Sequence, residues 1–426
     1  MPSLSFVPTL SLALRSLWNR RVTTLLTVCA IAVSVALLLG VQMLRTAARE
    51  GFLNTLSGVD LIVGARTGPT NLLLYSVFRI GDATSEVSWK SYELIAHHRD
   101  VAWTIPLSLG DSLHGFPVLG TDLDYFRHYR FAGDQSLHFA AGGPFHDLYD
   151  AVLGADVAQA LGKRVGDSII LSHGLGAVSF VEHKDKPFQV AGVLARTGTP
   201  VDRTVHVSLQ GISAMHVDWR NGYEAPPGQR VSAEQARHMD LTPDGVTAFL
   251  VRMRSPVMTF TMQRAINSYR GEALLAILPG VAFEQLWSLV GIANTALTVV
   301  AAFVVVAGLL GMLTAVMTSL NERRREMAIL RSVGAGPRHV FGLMIFEAGL
   351  LSAAGVVLGA GLTYALLVVT RPILHSRFGI FIELHALSRT EVTILGAVVL
   401  AALVMGLVPA ARAYRNTLSD GLQLRV

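Results

Sequence analysis

Four stretches of this chain run without a formal charge for as long as a helix needs to cross a bilayer. A hydrocarbon core of about 30 Å takes about 20 residues at 1.5 Å of rise each. Between Arg21 and Arg45 lie 23 uncharged residues, VTTLLTVCAIAVSVALLLGVQML, which predict a first span at 22–44. From Gln285 to Asn321 there are 37, more than a bilayer requires. The second helix, with its span at 286–320, should therefore extend beyond the membrane at one or both ends. A third span is predicted at 340–369 and a fourth at 392–411, flanked by Glu391 and Arg412.

The pattern changes between the first two spans. Residues 45–285 carry short runs that read as strands: DLIVGA (60–65), SIILS (168–172), FQVAGVLA (188–195), TVHVSL (204–209) and AFLVRM (248–253), separated by Gly, Pro and Asp turns. ADVAQALG (155–162) and MTFTMQRAINSY (258–269) have helical spacing. This insertion is long enough for its own core. It is expected to be an α+β domain with helical stalk ends and two subdomains. Upstream, residues 10–21 (LSLALRSLWNRR) put Leu10, Ala13, Leu14, Leu17 and Trp18 on one face. That suits an amphipathic helix within 1–21, either in the membrane interface or packed on protein. The predicted fold class is a polytopic α-helical membrane protein with four transmembrane helices and a large α+β extracytoplasmic domain between helices 1 and 2.

Composition agrees with the apolar pattern. The chain is 51% hydrophobic and 15% charged, against roughly 25% charged in soluble domains, and its mean hydropathy is +0.48. Charge sets the orientation. Residues 1–21, the 321–339 loop and the 412–426 tail gather 11 arginines against Glu322, Glu326 and Asp420, a net of +8. Residues 45–285 hold 21 basic and 24 acidic side chains, a net of −3. By the positive-inside rule the three basic segments are cytoplasmic, and the insertion and the short 370–391 loop lie outside. The expected location is a bacterial inner membrane with both termini cytoplasmic and the large domain periplasmic. The dispersed arginines form no single basic patch interleaved with aromatics, so no nucleic acid is expected as a partner. The first apolar run is longer than the 7–15 residues of a cleavable signal core. Cys29, the one cysteine, excludes an intramolecular disulfide and reads as apolar filler.

Catalytic motifs are missing from the sequence. No G-x-x-x-x-G-K-[ST] loop supplies a backbone cradle and lysine for nucleotide phosphates. LSGVD (56–60) only superficially resembles an ABC signature loop, and it lies on the wrong side of the membrane. Neither H-E-x-x-H nor G-x-S-x-G occurs, and Asp122 and Asp124 stand without supporting groups. The chain is expected to be no enzyme and to bind no cofactor of its own. Histidine is the chemical oddity: 11 of 14 fall in the insertion, at 97, 98, 114, 128, 138, 146, 173, 183, 206, 216 and 238. None shows a ligand spacing, although a site assembled from distant residues would not. Adjacent His97 and His98 are the named metal candidates. In the third span, Gly355 and Gly359 form a G-x-x-x-G that allows close helix approach. Glu347 in the same span must face protein, water or the interface.

The remaining puzzle is residues 319–341, SLNERRREMAILRSVGAGPRHVF, which pack five arginines and two glutamates between two apolar regions. Asn321–Arg331 contains good helix formers, and Gly334, Gly336 and Pro337 stop the helix. Met327, Ile329 and Leu330 are apolar among the charges, a mixture suited to docking on a cytoplasmic protein. The run NERRREMAILRSVGAGPRHVFGLMIFEAGLLSAAGVVLGAGL resembles the FtsX/MacB-type (LolC-like, type VII) ABC permease domain. The likeness extends to the basic N-terminal helix, the first span, FPVLGTDLDYF, VLGADVAQALGKRVGDSIIL and FQVAGVLARTGTPVD in the insertion, and VPAARAYR (408–415) in the last span.

The resemblance implies a mechanotransmitting permease, in which stalk helices carry motion from a cytoplasmic ATPase dimer to the extracytoplasmic domain to move or extract a substrate. ATP and Mg would be bound on that partner, and the other partners implied are a second permease copy in a homodimer, a periplasmic partner protein and the lipid bilayer. By match to the family loop, Glu322, Arg323, Arg324, Arg325, Glu326, Met327, Leu330, Arg331, Gly334 and Ala335 would form the ATPase-coupling contact. No fused ATPase is seen in the sequence, so a separate subunit is expected. The alternatives are a scaffold that regulates a cell-envelope hydrolase and a membrane sensor without an ATPase. VDLIVGARTGP (59–69) is similar to a subgroup of stand-alone permeases, some of them associated with metal or zinc homeostasis.

Overall fold

The computed structural model describes residues 20–174, 183, 185–220, 223–224, 230–322, 337–378 and 386–416. The principal elements run in order α1 (Arg21–Leu53), β1 (Leu61–Ala65), α2 (Trp89–Ala96), β2 (Val101–Leu113), β3 (Phe116–Thr121) and α3 (Leu123–His128). They continue with β4 (Phe139–Gly142), β5 (Asp150–Leu153), α4 (Ala155–Leu161), β6 (Ser168–Ile169), β7 (Ser172–His173) and β8 (Phe188–Leu194). Then come β9 (Val205–Ser208), α5 (Leu209–His216), β10 (Ala248–Met253), α6 (Thr259–Asn267), β11 (Leu274–Ile277), α7 (Pro279–Glu322), α8 (Pro337–Phe378) and α9 (Arg389–Asn416). The described residues divide into two compact units, one drawn from residues up to 47, 291–372 and 382 onward, the other from 48–290 and 373–381.

The first unit is helical. Four of its helices carry stretches long and apolar enough to span a bilayer: Arg21–Leu53, Pro279–Ser319, Phe341–Arg371 and Arg389–Arg412. Helix α8 continues to Phe378, past the limit of 369 drawn from hydropathy, because Arg371 ends the apolar run but not the helix. Large apolar side chains such as Phe303, Val369 and Leu400 stay exposed, as suits a lipid-facing surface. Lipid provides no hydrophobic force between helices, so packing and interhelical hydrogen bonds hold the bundle. Small residues allow the approach: a Cβ on Gly355 would meet Ile31 at 2.6 Å, and one on Gly359 would meet the Ala32 carbonyl oxygen at 2.7 Å. Between α1 and α7, the Ser34 hydroxyl donates to the carbonyl of Val304 at 3.1 Å as well as to Ala30 at 2.8 Å. Helix α9 starts with a reciprocal cap, in which Ser388 N–H donates to Glu391 at 2.7 Å and Glu391 N–H to the Ser388 hydroxyl at 3.3 Å.

The second unit is built on one mixed sheet of eleven strands among the described residues. The order is β11-β1-β10-β2-β3-β9-β5-β8-β4, with β7 on β2 and β6 on β8. The pairs β3/β9 and β5/β8 are parallel and the others antiparallel. The expected strands at 60–65, 188–195, 204–209 and 248–253 are present, whereas SIILS splits into β6 and β7. The two subdomains expected from length do not form separate sheets, because β2 is long enough to pair with both halves. Its first part pairs with β10 from Val101 to Leu107, and its second with β3 from Ser108 to Leu113. Alternation then divides the core. On one face Ile62, Ile105, Leu107, Leu119, Val152 and Leu250 share a continuous cluster. The other face carries two: Leu61, Val63, Phe249 and Val251 under α2 and α6, and Val118, Ala151, Leu153, Val205 and Val207 under α4 and α5.

Gly154 joins β5 to α4 where the chain passes against the turn at Pro200–Arg203. A Cβ there would collide with the carbonyl oxygens of Val201 and Asp202. Gly154→Ala should therefore destabilise the domain by about 1–3 kcal/mol through overpacking, seen as a lowered thermal unfolding midpoint. Gly143→Ala, which meets no neighbouring atom and does not lie at positive φ, should shift the midpoint less.

Candidate functional site

Strand pairing brings the strongest chemical constellation together. The short β7 lies antiparallel to the end of β2, and its register sets His173 directly opposite Asp111. The β2–β3 ladder slips between Leu109 and Ser112. With alternation broken by this irregularity, Asp111, Ser112 and Leu113 are all buried. Gly174 closes β7 at φ +93°, a conformation that favours glycine, and its N–H donates to the Gly110 carbonyl at 2.9 Å. His183 returns beside the same strand, its N–H donating to Leu171 at 3.0 Å. His216 is the last residue of α5, whose start is capped by the Ser208 hydroxyl accepting from Gly211 N–H at 2.9 Å.

Asp111, His173, His183 and His216 thus offer four ligand atoms that lie within 4.8 Å of one another. Three form a tight triangle. Asp111 Oδ1 is 3.1 Å from His173 Nδ1 and 3.4 Å from His216 Nε2, and those two nitrogens are 3.3 Å apart. The rings of His183 and His216 meet edge to face at 5.3 Å. Burial pulls the Asp111 pKa up, but hydrogen bonds from His173 and His216, with their charges, outweigh it and hold the carboxylate below its ordinary value. The same hydrogen bond to Asp111 raises the pKa of His173. Burial, reinforced by His216, lowers that of His183 to about 4. The arrangement is a compact set of three imidazoles and one carboxylate, with His173 about half exposed and Asp111 sealed beneath it.

A buried ion pair braces the cluster from behind. Lys186 Nζ donates to Asp218 Oδ1 at 2.8 Å, with the two side chains only 1% and 2% exposed. Lys186 is three residues beyond His183 and Asp218 two beyond His216, so the pair ties together the segments that carry two of the histidines. Asp185 also approaches Lys186, at 3.2 Å.

The other sequence candidates fall elsewhere. His97 and His98 end α2, where His97 Nδ1 bonds the Glu93 carbonyl at 2.9 Å and His98 Nδ1 accepts from Asp100 N–H at 3.3 Å; the four-residue grouping does not include them. Asp122 caps α3 by accepting from Asp124 N–H at 3.1 Å, and burial followed by the Asp124 charge pushes its pKa to about 7. Glu347 is buried. Glu322 is the last residue of α7. Arg323, Arg324, Arg325, Glu326, Met327, Leu330, Arg331, Gly334 and Ala335 lie outside the described residues. Asp111 was not a sequence candidate, and His173, His183 and His216 did not stand out among the eleven.

Comparison with known proteins assigns the chain to a family. Residues 24–269 match the MacB-like periplasmic core domain, and residues 298–418 match the FtsX-like permease C-terminal domain. The chain belongs to the FtsX/MacB-type ABC transporter permease family. This permease is 24% identical over 280 residues to the pyoverdine export ATP-binding/permease protein PvdT of Pseudomonas fluorescens (strain Pf0-1), a match covering 64% of this chain and 38% of that protein. The chain thus spans well under half the length of this relative. The periplasmic region of MacB from Actinobacillus actinomycetemcomitans aligns over 55% of this permease and 95% of that chain, with 9% identity and a TM-score of 0.33. The extracellular domain of the noncanonic ABC-type transporter YknZ from Gram-positive bacteria aligns over 51% and 99%, with 12% identity and a TM-score of 0.30. By its two family matches this permease is an ABC transporter subunit with a large extracytoplasmic domain, and four helices among its described residues are long and apolar enough to cross a membrane.

The buried pair behind the histidines makes a stability prediction for this permease. Lys186→Ala leaves Asp218 buried without its ammonium and should cost about 3–5 kcal/mol, lowering the unfolding midpoint strongly. The double replacement Lys186→Met with Asp218→Leu should recover much of that loss, and an equal loss in both variants would show that the pair has no such role.

Proposed function

We propose that this chain is the transmembrane subunit through which motion generated by a separate cytoplasmic ATPase dimer reaches the extracytoplasmic domain, where it moves or extracts a substrate. The observation that carries this reading is the pair of family matches, which together cover the extracytoplasmic core and the membrane helices of one chain. ATP and Mg are bound by the partner in this reading, because the sequence has no phosphate-cradling loop. The PvdT relative is by name both ATP-binding and permease. The chain works as a homodimer in a bacterial inner membrane, with its termini and the 321–339 loop in the cytoplasm.

Coupling is assigned to Glu322 through Ala335. Arg323, Arg324 and Arg325 pair with carboxylates of the ATPase, while Met327 or Leu330 fills an apolar pocket. Buried anchors at interfaces usually cost about 2 kcal/mol or more when lost, exposed ion pairs about 0 to 1. Leu330→Asp should therefore abolish copurification of the ATPase, and Arg325→Ala should only weaken it. Retained ATPase and full transport in Leu330→Asp would sink the coupling assignment.

Orientation has its own test. A cysteine replacing exposed Ser232 should react with a membrane-impermeant maleimide in cells whose outer barrier is permeabilised, in a background lacking Cys29. One replacing Ser332 should react only after lysis, and the opposite pattern would invert the topology.

A further inference from the structure

We infer that Asp111, His173, His183 and His216 form a binding site for a divalent transition-metal ion of the zinc class in the extracytoplasmic domain. A tetrahedral zinc ion with bonds of about 2.0–2.1 Å to nitrogen holds its ligand atoms about 3.3–3.4 Å apart along each edge. The three measured edges of the Asp111, His173 and His216 triangle are 3.1, 3.3 and 3.4 Å. They form one face of such a tetrahedron. The His183 ligand atom, within 4.8 Å of the others, supplies the fourth corner.

Donor chemistry selects the metal. Three imidazoles suit zinc, copper, nickel or cobalt, whereas calcium and magnesium demand oxygen. One carboxylate offsets part of the ion's charge, and the ion arrives at the C-terminal end of α5, where the helix dipole favours positive charge. The supporting layer is also in place. Asp111 is fixed by the β2–β7 register, and the Lys186–Asp218 pair anchors the segments bearing His183 and His216. Such outer contacts orient ligands in metal sites. His173, half exposed, gives the ion its entry. Bound there, the ion ties α5 to β2, β7 and the His183 segment, which are themselves held together by backbone hydrogen bonds. This inference concerns the extracytoplasmic domain alone and stands apart from the ATPase coupling proposed above.

The test uses the full-length chain in detergent, with any affinity tag removed, stripped by chelator and then equilibrated with zinc in micromolar excess. Elemental analysis after desalting should find about one zinc ion per chain, and zinc should raise the unfolding midpoint. Both effects should vanish in the double variant His173→Ala with His216→Ala and persist in His97→Ala with His98→Ala. Comparing the metal-free midpoints of both double variants with that of the parent checks that each folds. Cobalt provides a reading that needs no variant: the unaltered chain should show the intense visible absorption of a tetrahedral ion. Absence of bound zinc in the parent, zinc content unchanged in the 173/216 variant, or the faint spectrum of octahedral cobalt would each overturn the assignment.

Discussion

Backbone pairing along Val101–Leu113 is the constraint on which the extracytoplasmic domain depends. At thirteen residues, this strand is long enough to carry the β10 ladder on one stretch and the β3 and β7 ladders on another. A shorter strand would leave the β10 ladder and the β3 ladder in two separate sheets. Because pairing passes through one strand, Ile105 and Leu107 join a core shared by both halves, while the opposite face keeps its two clusters apart. The same strand ends in the irregularity that buries Asp111. Fold and candidate site therefore depend on one run of hydrogen bonds.

The membrane unit rests on a different physics. Apolar side chains in lipid gain nothing by leaving it for one another, so close backbone approach and hydrogen bonding decide which helices meet. Gly355 and Gly359 bring α8 against Ile31 and Ala32 of α1. The hydroxyls of Ser34 and Thr363 reach carbonyls of neighbouring helices while still bonded within their own. These contacts tie α1 to both α7 and α8.

The proposed metal site is held by the extracytoplasmic domain alone. Its ligands come from two paired strands, a returning segment and a helix end, and none would be placed by local structure alone. The register opposite Asp111 positions His173, and the buried Lys186–Asp218 contact positions the other two. The acidic neighbours Asp122 and Asp124, which stood without supporting groups in the sequence, meet at a helix cap. His97 and His98, adjacent in sequence and so the natural candidates, end a helix with contacts to its own backbone and to Asp100.

By itself the sequence determined the helices that cross the membrane, the strands at 188–194, 205–208 and 248–253, the family, and the small residues that let α8 pack. Each is written in a local period or a contiguous motif: about 20 uncharged residues for a span, alternation for a half-buried strand, spacing of four for Gly355 and Gly359. Only the tertiary structure decided that SIILS breaks into two strands, that one long strand joins the halves of the sheet, and that Asp111 meets His173, His183 and His216. Asp111 and His173, directly hydrogen-bonded, stand 62 residues apart in the chain. Their meeting depends on strand register, which slips or holds through the hydrogen bonds of whole ladders and leaves no spacing for a reader of the chain to find.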